Sequence, residues 1–108
     1  MKNEELVENQ VKALNEKKRK EFEKCFNDDF QLFDSNGKLI IFGKKKLMEV
    51  FEVRFLQKGF RCQVIKRFIL KNGIIDKEQL WLDNKLEKEV IVFYQFEDNK
   101  IKCARYLK

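Results

Sequence analysis

From Phe60 to Leu107 the chain is a succession of strand-length segments parted by turn residues, and one of them cannot sit at an edge. In Lys88 to Phe96, Val90, Val92, Tyr94 and Phe96 point one way and Ile91 and Phe93 the other, the alternation of a strand that is apolar on both faces. Such a strand belongs in the middle of a sheet and needs cover on both sides. Before it, Phe60 to Lys71 is rich in β-branched and aromatic residues, and Ile74 to Leu82 is its return strand. The Asn72-Gly73 pair between them predicts a type I′ turn with positive φ at both positions. Asp83-Asn84-Lys85 turns into the central strand, Glu97 to Lys100 turns out of it, and Ile101 to Leu107 closes the sheet.

The first half of the chain has a helical period. Leu6, Val7, Val11 and Leu14 share one face after Asn3, a cap residue, and Glu4 and Glu5, which favour the positive end of a helix. Asn15 is expected to take the left-handed conformation that ends this helix. A second helix, about Lys18 to Phe26, packs Phe22, Cys25 and Phe26 to one side. Phe30 to Phe33 is a short strand, Leu39 to Phe42 a short apolar run closed by Gly43, and Leu47, Val50, Phe51 and Phe55 mark a third helix with Gly59 as its stop. Helices first and a long antiparallel meander after predict an α+β fold: three N-terminal helices packed on the concave face of a curved, mostly antiparallel sheet. With 108 residues, no proline and no linker-like stretch, the expectation is a single domain over 1–108.

Composition narrows the chemistry. There is no histidine, which excludes imidazole catalysis and His-based triads and metal sites; proton transfer is left to Asp, Glu, Lys, Tyr or Cys. The three cysteines, Cys25, Cys62 and Cys103, are far apart and read as buried thiols, so neither a disulfide framework, a metal site nor a cofactor is expected. No apolar run reaches the ~20 residues of a membrane span, and the acidic, polar start is unlike a signal peptide, which points to the cytoplasm and to no membrane partner. The net charge of +6 is concentrated in Lys17-Lys18-Arg19-Lys20 and Lys44-Lys45-Lys46. These runs read either as a phosphate-binding patch or as solvated surface broken up by Glu16, Glu21, Glu23 and Glu49; with no nucleic-acid-binding motif beside them, surface is the expectation.

The acidic residue whose setting suggests chemistry is Asp34, where the Phe30–Phe33 strand gives way to Ser35-Asn36-Gly37. A carboxylate there either looks back into an apolar interior or starts an Asx-type turn.

The order of elements, with Ala13-Leu14-Asn15, Phe26-Asn27-Asp28-Asp29, Phe33-Asp34, Gly37 and Gly43, resembles the cone-shaped fold shared by nuclear transport factor two, ketosteroid isomerase and the SnoaL-like polyketide cyclases. The spacing matches the isomerase pattern over roughly residues 6 to 51; beyond that the match is one of strand order, with Lys100-Ile101 and Arg105 as weak points. The resemblance implies that Asp34 is a general base moving a proton next to a carbonyl. It also implies that the family's oxyanion-binding tyrosine and protonated aspartate correspond to Gln10 and Val92, of which Gln10 retains a donor and Val92 none. Lys17-Lys18 stand where the family often starts its second helix with aspartate.

With Val90, Val92, Tyr94 and Phe96 facing inward, antiparallel pairing brings Ala104 and Tyr106 to the same face, opposite Phe26, Phe30, Leu32 and Phe51. That wall suits either a pocket for a small apolar or carbonyl-bearing molecule, with Asp34, Gln10, Tyr94 and Tyr106 as its polar groups, or a core filled by the eleven phenylalanines. The outer face is expected to carry Ile69, Trp81, Ile91 and Phe93 and to pair two copies as a homodimer. The sequence therefore supports two functions, a pocket protein with isomerase- or cyclase-type proton transfer, or a homodimeric binding or scaffold module without catalysis.

Overall fold

The computed structural model describes residues 3–108, in the order α1 (Asn3–Asn15), α2 (Arg19–Lys24), β1 (Phe26–Phe33), β2 (Leu39–Phe42), α3 (Lys44–Leu56), β3 (Phe60–Leu70), β4 (Gly73–Leu82), β5 (Lys85–Glu97) and β6 (Lys100–Tyr106). All six strands form one sheet in the order β2-β1-β6-β5-β4-β3. Every neighbouring pair is antiparallel except β1 with β6, so the sheet is mixed and the fold α+β. The doubly apolar strand β5 lies between β4 and β6, as its pattern requires.

The helices lie on one face. α1 buries Leu6, Val7, Gln10, Ala13 and Leu14, one stripe of a 3.6-residue period. α2 has only six residues and cannot persist by propensity; it is held by Phe22, whose ring lies 4.9 Å from that of Phe26 and 5.3 Å from those of Phe51 and Phe55. Phe26 does not extend α2. It begins β1, opposite Ile101, because the Ile101 N–H donates to the Cys25 carbonyl and draws the chain into the sheet.

Two turns differ from expectation. α1 ends on a left-handed Lys17 (φ 62°) rather than Asn15, with the Lys18 N–H on the Ala13 carbonyl and the Lys17 N–H on the Leu14 carbonyl, a Schellman arrangement. The Asn15 amide is engaged elsewhere: Nδ2 donates to the Cys62 carbonyl at 2.8 Å and Oδ1 accepts from the Cys62 N–H at 2.7 Å, docking α1 onto the open edge of β3. Asn72-Gly73 does not form the turn with two positive φ values; those fall at Asp83-Asn84 and Asp98-Asn99. Gly73 is instead the first residue of β4, where a Cβ would overlap the Phe93 ring and the Tyr94 carbonyl. Gly59, expected as a helix stop, follows a helix already ended at Leu56 and lies against Asp83.

The largest departure is a β-bulge. Val64 pairs with Glu78 and Lys66 with Lys77, leaving Ile65 unopposed. One extra residue moves every later side chain of a strand to the opposite face. Ile69, expected on the outer face, therefore lies opposite Ile74 on the helix-facing side, and Phe68 takes the outer place beside Ile75. Arg67 is also turned inward, directly opposite Asp76.

Asp76 is 0% exposed and is held by two charge-assisted bonds, Arg67 Nε to Oδ1 at 2.7 Å and Nη2 to Oδ2 at 2.9 Å. Removing one partner of a buried pair strands the other charge, which costs more than losing both. Arg67→Met is expected to destabilise the fold by about 3–5 kcal/mol in urea unfolding, and Arg67→Met with Asp76→Leu to recover most of that loss.

Candidate functional site

Between the helices and the sheet lies a cavity of about 310 Å³. Its sheet wall follows from register: Leu32, Ala104 and Tyr94 are successive partners across β1, β6 and β5, and Val92 pairs with Tyr106 one row away. Its roof comes from Gln10 and Leu14 of α1, Phe22 of α2, and Leu47, Val50, Phe51, Val53 and Arg54 of α3. Of the ten residues expected on the wall, Phe26, Phe30, Leu32, Phe51, Val90, Val92, Tyr94, Ala104 and Tyr106 line it, as does Gln10, while Phe96 packs against the core instead. Its exposed lining residues, Val50 and Val53 on one side and Lys88 on the other, mark the mouth.

Asp34 is not among the lining residues. Its Oδ1 accepts the N–H groups of Asn36 and Lys38, both at 2.9 Å, so it organises the β1–β2 turn as an Asx-type acceptor.

The carboxylate that lines the cavity is Glu78 of β4, 5% exposed. The Tyr94 hydroxyl donates to Oε2 at 2.8 Å, and the Cys62 thiol lies 3.5 Å from Oε1. Gln10 Nε2 donates in turn to the Tyr94 hydroxyl at 3.2 Å. Glu78, Tyr94 and Gln10 thus form one chain of hydrogen bonds along the cavity wall. Burial raises the Glu78 carboxyl from the ordinary 4.5 to about 7, and the charge of Asp76 adds to the effect, against the hydrogen bonds from Tyr94 and Cys62 and the more distant Arg67. Burial beside Glu78 pushes the Cys62 thiol and the Tyr94 and Tyr106 hydroxyls up, so all three stay protonated. The Tyr106 hydroxyl makes no hydrogen bond among the described residues and is free to meet a ligand.

The sequence carried a signal for Glu78. In Ile74 to Leu82 the period-two face that holds Ile74, Leu80 and Leu82 also holds Asp76 and Glu78, two carboxylates among apolar neighbours. Among the described residues no group of three or more His, Cys, Asp or Glu is placed to hold a metal ion. No helix among them is long and apolar enough to cross a membrane. The two basic runs are drawn into contacts: Lys18 with Glu16, Arg19 with Glu52, Lys44 with Asp28 and Lys46 with Glu49, while Lys17 Nζ donates to the Arg54 and Phe60 carbonyls.

Comparison with known proteins identifies the fold. No family model matches the chain, and no curated protein matches it in sequence. Among solved structures, a cystatin-fold protein from Novosphingobium aromaticivorans is similar with a TM-score of 0.85 and 14% identity, over 100% of this chain and 99% of that one. An NTF2-like protein of unknown function from Cytophaga hutchinsonii has a TM-score of 0.79 and 20% identity, covering 98% and 88%. A proposed ketosteroid isomerase from Kribbella flavida has a TM-score of 0.74 and 14% identity, covering 94% and 73%. The chain has the cone fold of nuclear transport factor two-like, SnoaL-like, ketosteroid isomerase-like and cystatin-like proteins, and at these identities the likeness is one of fold.

A carboxyl with a folded-state pKa near 7 and an unfolded value of 4.5 binds its proton more tightly in the folded state, so its contribution is complete below 4.5 and is lost as pH rises through about 7. Wild-type unfolding free energy is expected to fall by a few kcal/mol across that window. Glu78→Gln, which keeps the shape of the neutral acid, should flatten this slope when chemical denaturation is followed against pH.

Proposed function

We propose that the chain is a pocket protein that binds a small apolar molecule carrying a carbonyl group, and that its proton chemistry resides at Glu78. The observation that carries this reading is the buried carboxyl at the cavity wall, raised to about 7 and hydrogen-bonded to Tyr94. A group titrating near neutral pH is present in both protonation states, which suits it to take a proton from carbon and return it elsewhere. With a ligand carbonyl against the Tyr106 hydroxyl and its neighbouring C–H toward Glu78, the ionised carboxylate removes the proton and the hydroxyl bonds the developing enolate oxygen. Tyr94 and Gln10 hold Glu78 in place throughout. Asp34, which the fold resemblance would nominate as the base, has its Oδ1 committed to the turn.

The test is deuterium wash-out from the α-carbon of an enolisable cyclic ketone incubated with the protein at neutral pH. Exchange is expected in the wild type, about a hundredfold or more slower in Glu78→Gln, and unchanged in Asp34→Asn. Exchange lost in Asp34→Asn and kept in Glu78→Gln would overturn the assignment.

A second reading, a homodimeric module without catalysis, is favoured by the outer sheet face. Phe33, Phe93, Ile75 and Phe68 lie in one row across β1, β5, β4 and β3, broken only by Arg105, with Ile91 beside it and Trp81 on the same face farther along β4. No helix of this chain covers that row among the described residues, and Phe68 is 48% exposed. The doubly apolar strand is therefore covered once within the chain, and a two-fold partner supplies the second cover. Sedimentation is expected to give a dimer for the wild type and a monomer for Phe93→Lys; a monomeric wild type refutes this reading.

A further inference from the structure

We infer that the molecule taken by the cavity is an anionic amphiphile, its apolar body inside and its negatively charged head held at the mouth by Lys88 and Arg54. This rests on the pocket reading above and names the class of ligand. Lys88 lies on the helix-facing side of β5, directly opposite Leu80, in line with Val90, Val92 and Tyr94 that run inward along the cavity wall. It is a cation at a position the alternation assigns to the apolar face, it is exposed, and it makes no ion pair among the described residues. Its stem can lie along the wall while the ammonium stays in water at the opening.

Across the mouth, the Arg54 guanidinium stacks on the Phe60 ring at 4.2 Å from its centroid, and the Lys17 ammonium lies 5.3 Å from the same centroid. Arg54 is held by Glu87, Nη2 to Oε1 at 2.6 Å. Lys88 and Arg54, both at the cavity wall, thus stand against one carboxylate, Glu87, and the unbalanced positive charge opens onto the cavity. Burial first, and the nearby Arg54 charge second, lower the Lys17 pKa. Beside them the mouth is apolar, with Val50 and Val53 both exposed.

The interior sets the orientation. Beyond the mouth the wall is mainly apolar around the Gln10–Tyr94–Glu78 chain, the Cys62 thiol and the Tyr106 hydroxyl, and its one carboxyl, Glu78, when ionised would repel a second buried anion. A charged head thus remains at the rim while hydrocarbon fills the space between Leu80, Val90 and the phenylalanine rings.

Titration calorimetry at neutral pH and low salt, with decanoate, 1-decanol and decylammonium below their aggregation limits, tests the inference on the intact chain. Decanoate is expected to bind tightest, to weaken about tenfold in Lys88→Glu, and to weaken as salt is raised, with decanol indifferent to both changes. Decanol binding as tightly as decanoate, decylammonium binding tightest, or Lys88→Glu leaving decanoate affinity unchanged would overturn the charged rim and leave the pocket intact. Failure of the wild type to bind any of the three sinks the pocket reading and the rim with it.

Discussion

Two carboxylates sit two residues apart on the buried face of β4, and the sheet supplies an arginine to only one of them. The bulge at Ile65 is the reason. It turns Arg67 inward opposite Asp76, where the two bond in a fork, and places Val64, an apolar residue, opposite Glu78. Asp76 is charge-paired and structural. Glu78 keeps only neutral hydrogen-bond partners, a tyrosine hydroxyl and a thiol, and burial in that setting raises its pKa to about 7, so that both protonation states are populated near neutral pH. One inserted residue in a neighbouring strand thus separates a buried ion pair from a buried carboxyl left with neutral hydrogen-bond partners.

The cavity is the space left between a sheet wall on which rings alternate with short side chains and the helices that roof it. Val92 and Ala104 are short on that wall, while Phe22 of α2 and Phe26 and Phe30 of β1 pack as a tilted, edge-on row with centroids 4.9 Å apart. The polar chain from Gln10 through Tyr94 to Glu78 spans that hollow. All its members are buried and each has a partner, which is how polar groups persist on such a wall.

Much of the architecture was legible because it rests on short-range chemistry. The α1 stripe, the doubly apolar β5 and the glycine at the β2–α3 junction follow from periodicity and backbone sterics, and so do the nine expected wall residues that line the cavity, which lie at inward parity on their elements. Three readings failed where two distant segments had to be known at once. Asn15 does end α1, but the left-handed conformation expected of it falls at Lys17, and its amide is engaged by Cys62, 47 residues away. Asn72-Gly73 was read as a turn glycine because the ring that forbids a Cβ at Gly73 belongs to β5. Ile69 was put on the wrong face because a bulge leaves no mark in the sequence of the strand that carries it.

Alternation and helical period alone determined which residues face inward and hence the chemical character of the wall, since side-chain direction is a local consequence of φ and ψ. The identity of the acid on that wall was decided by tertiary structure. Asp34 and Glu78 are both carboxylates beside apolar residues in the sequence, and only the folded chain gives one of them two backbone N–H groups in a surface turn and the other a tyrosine hydroxyl at a buried cavity wall. Proton affinity depends on what surrounds a group in three dimensions, and that is not a property of its neighbours along the chain.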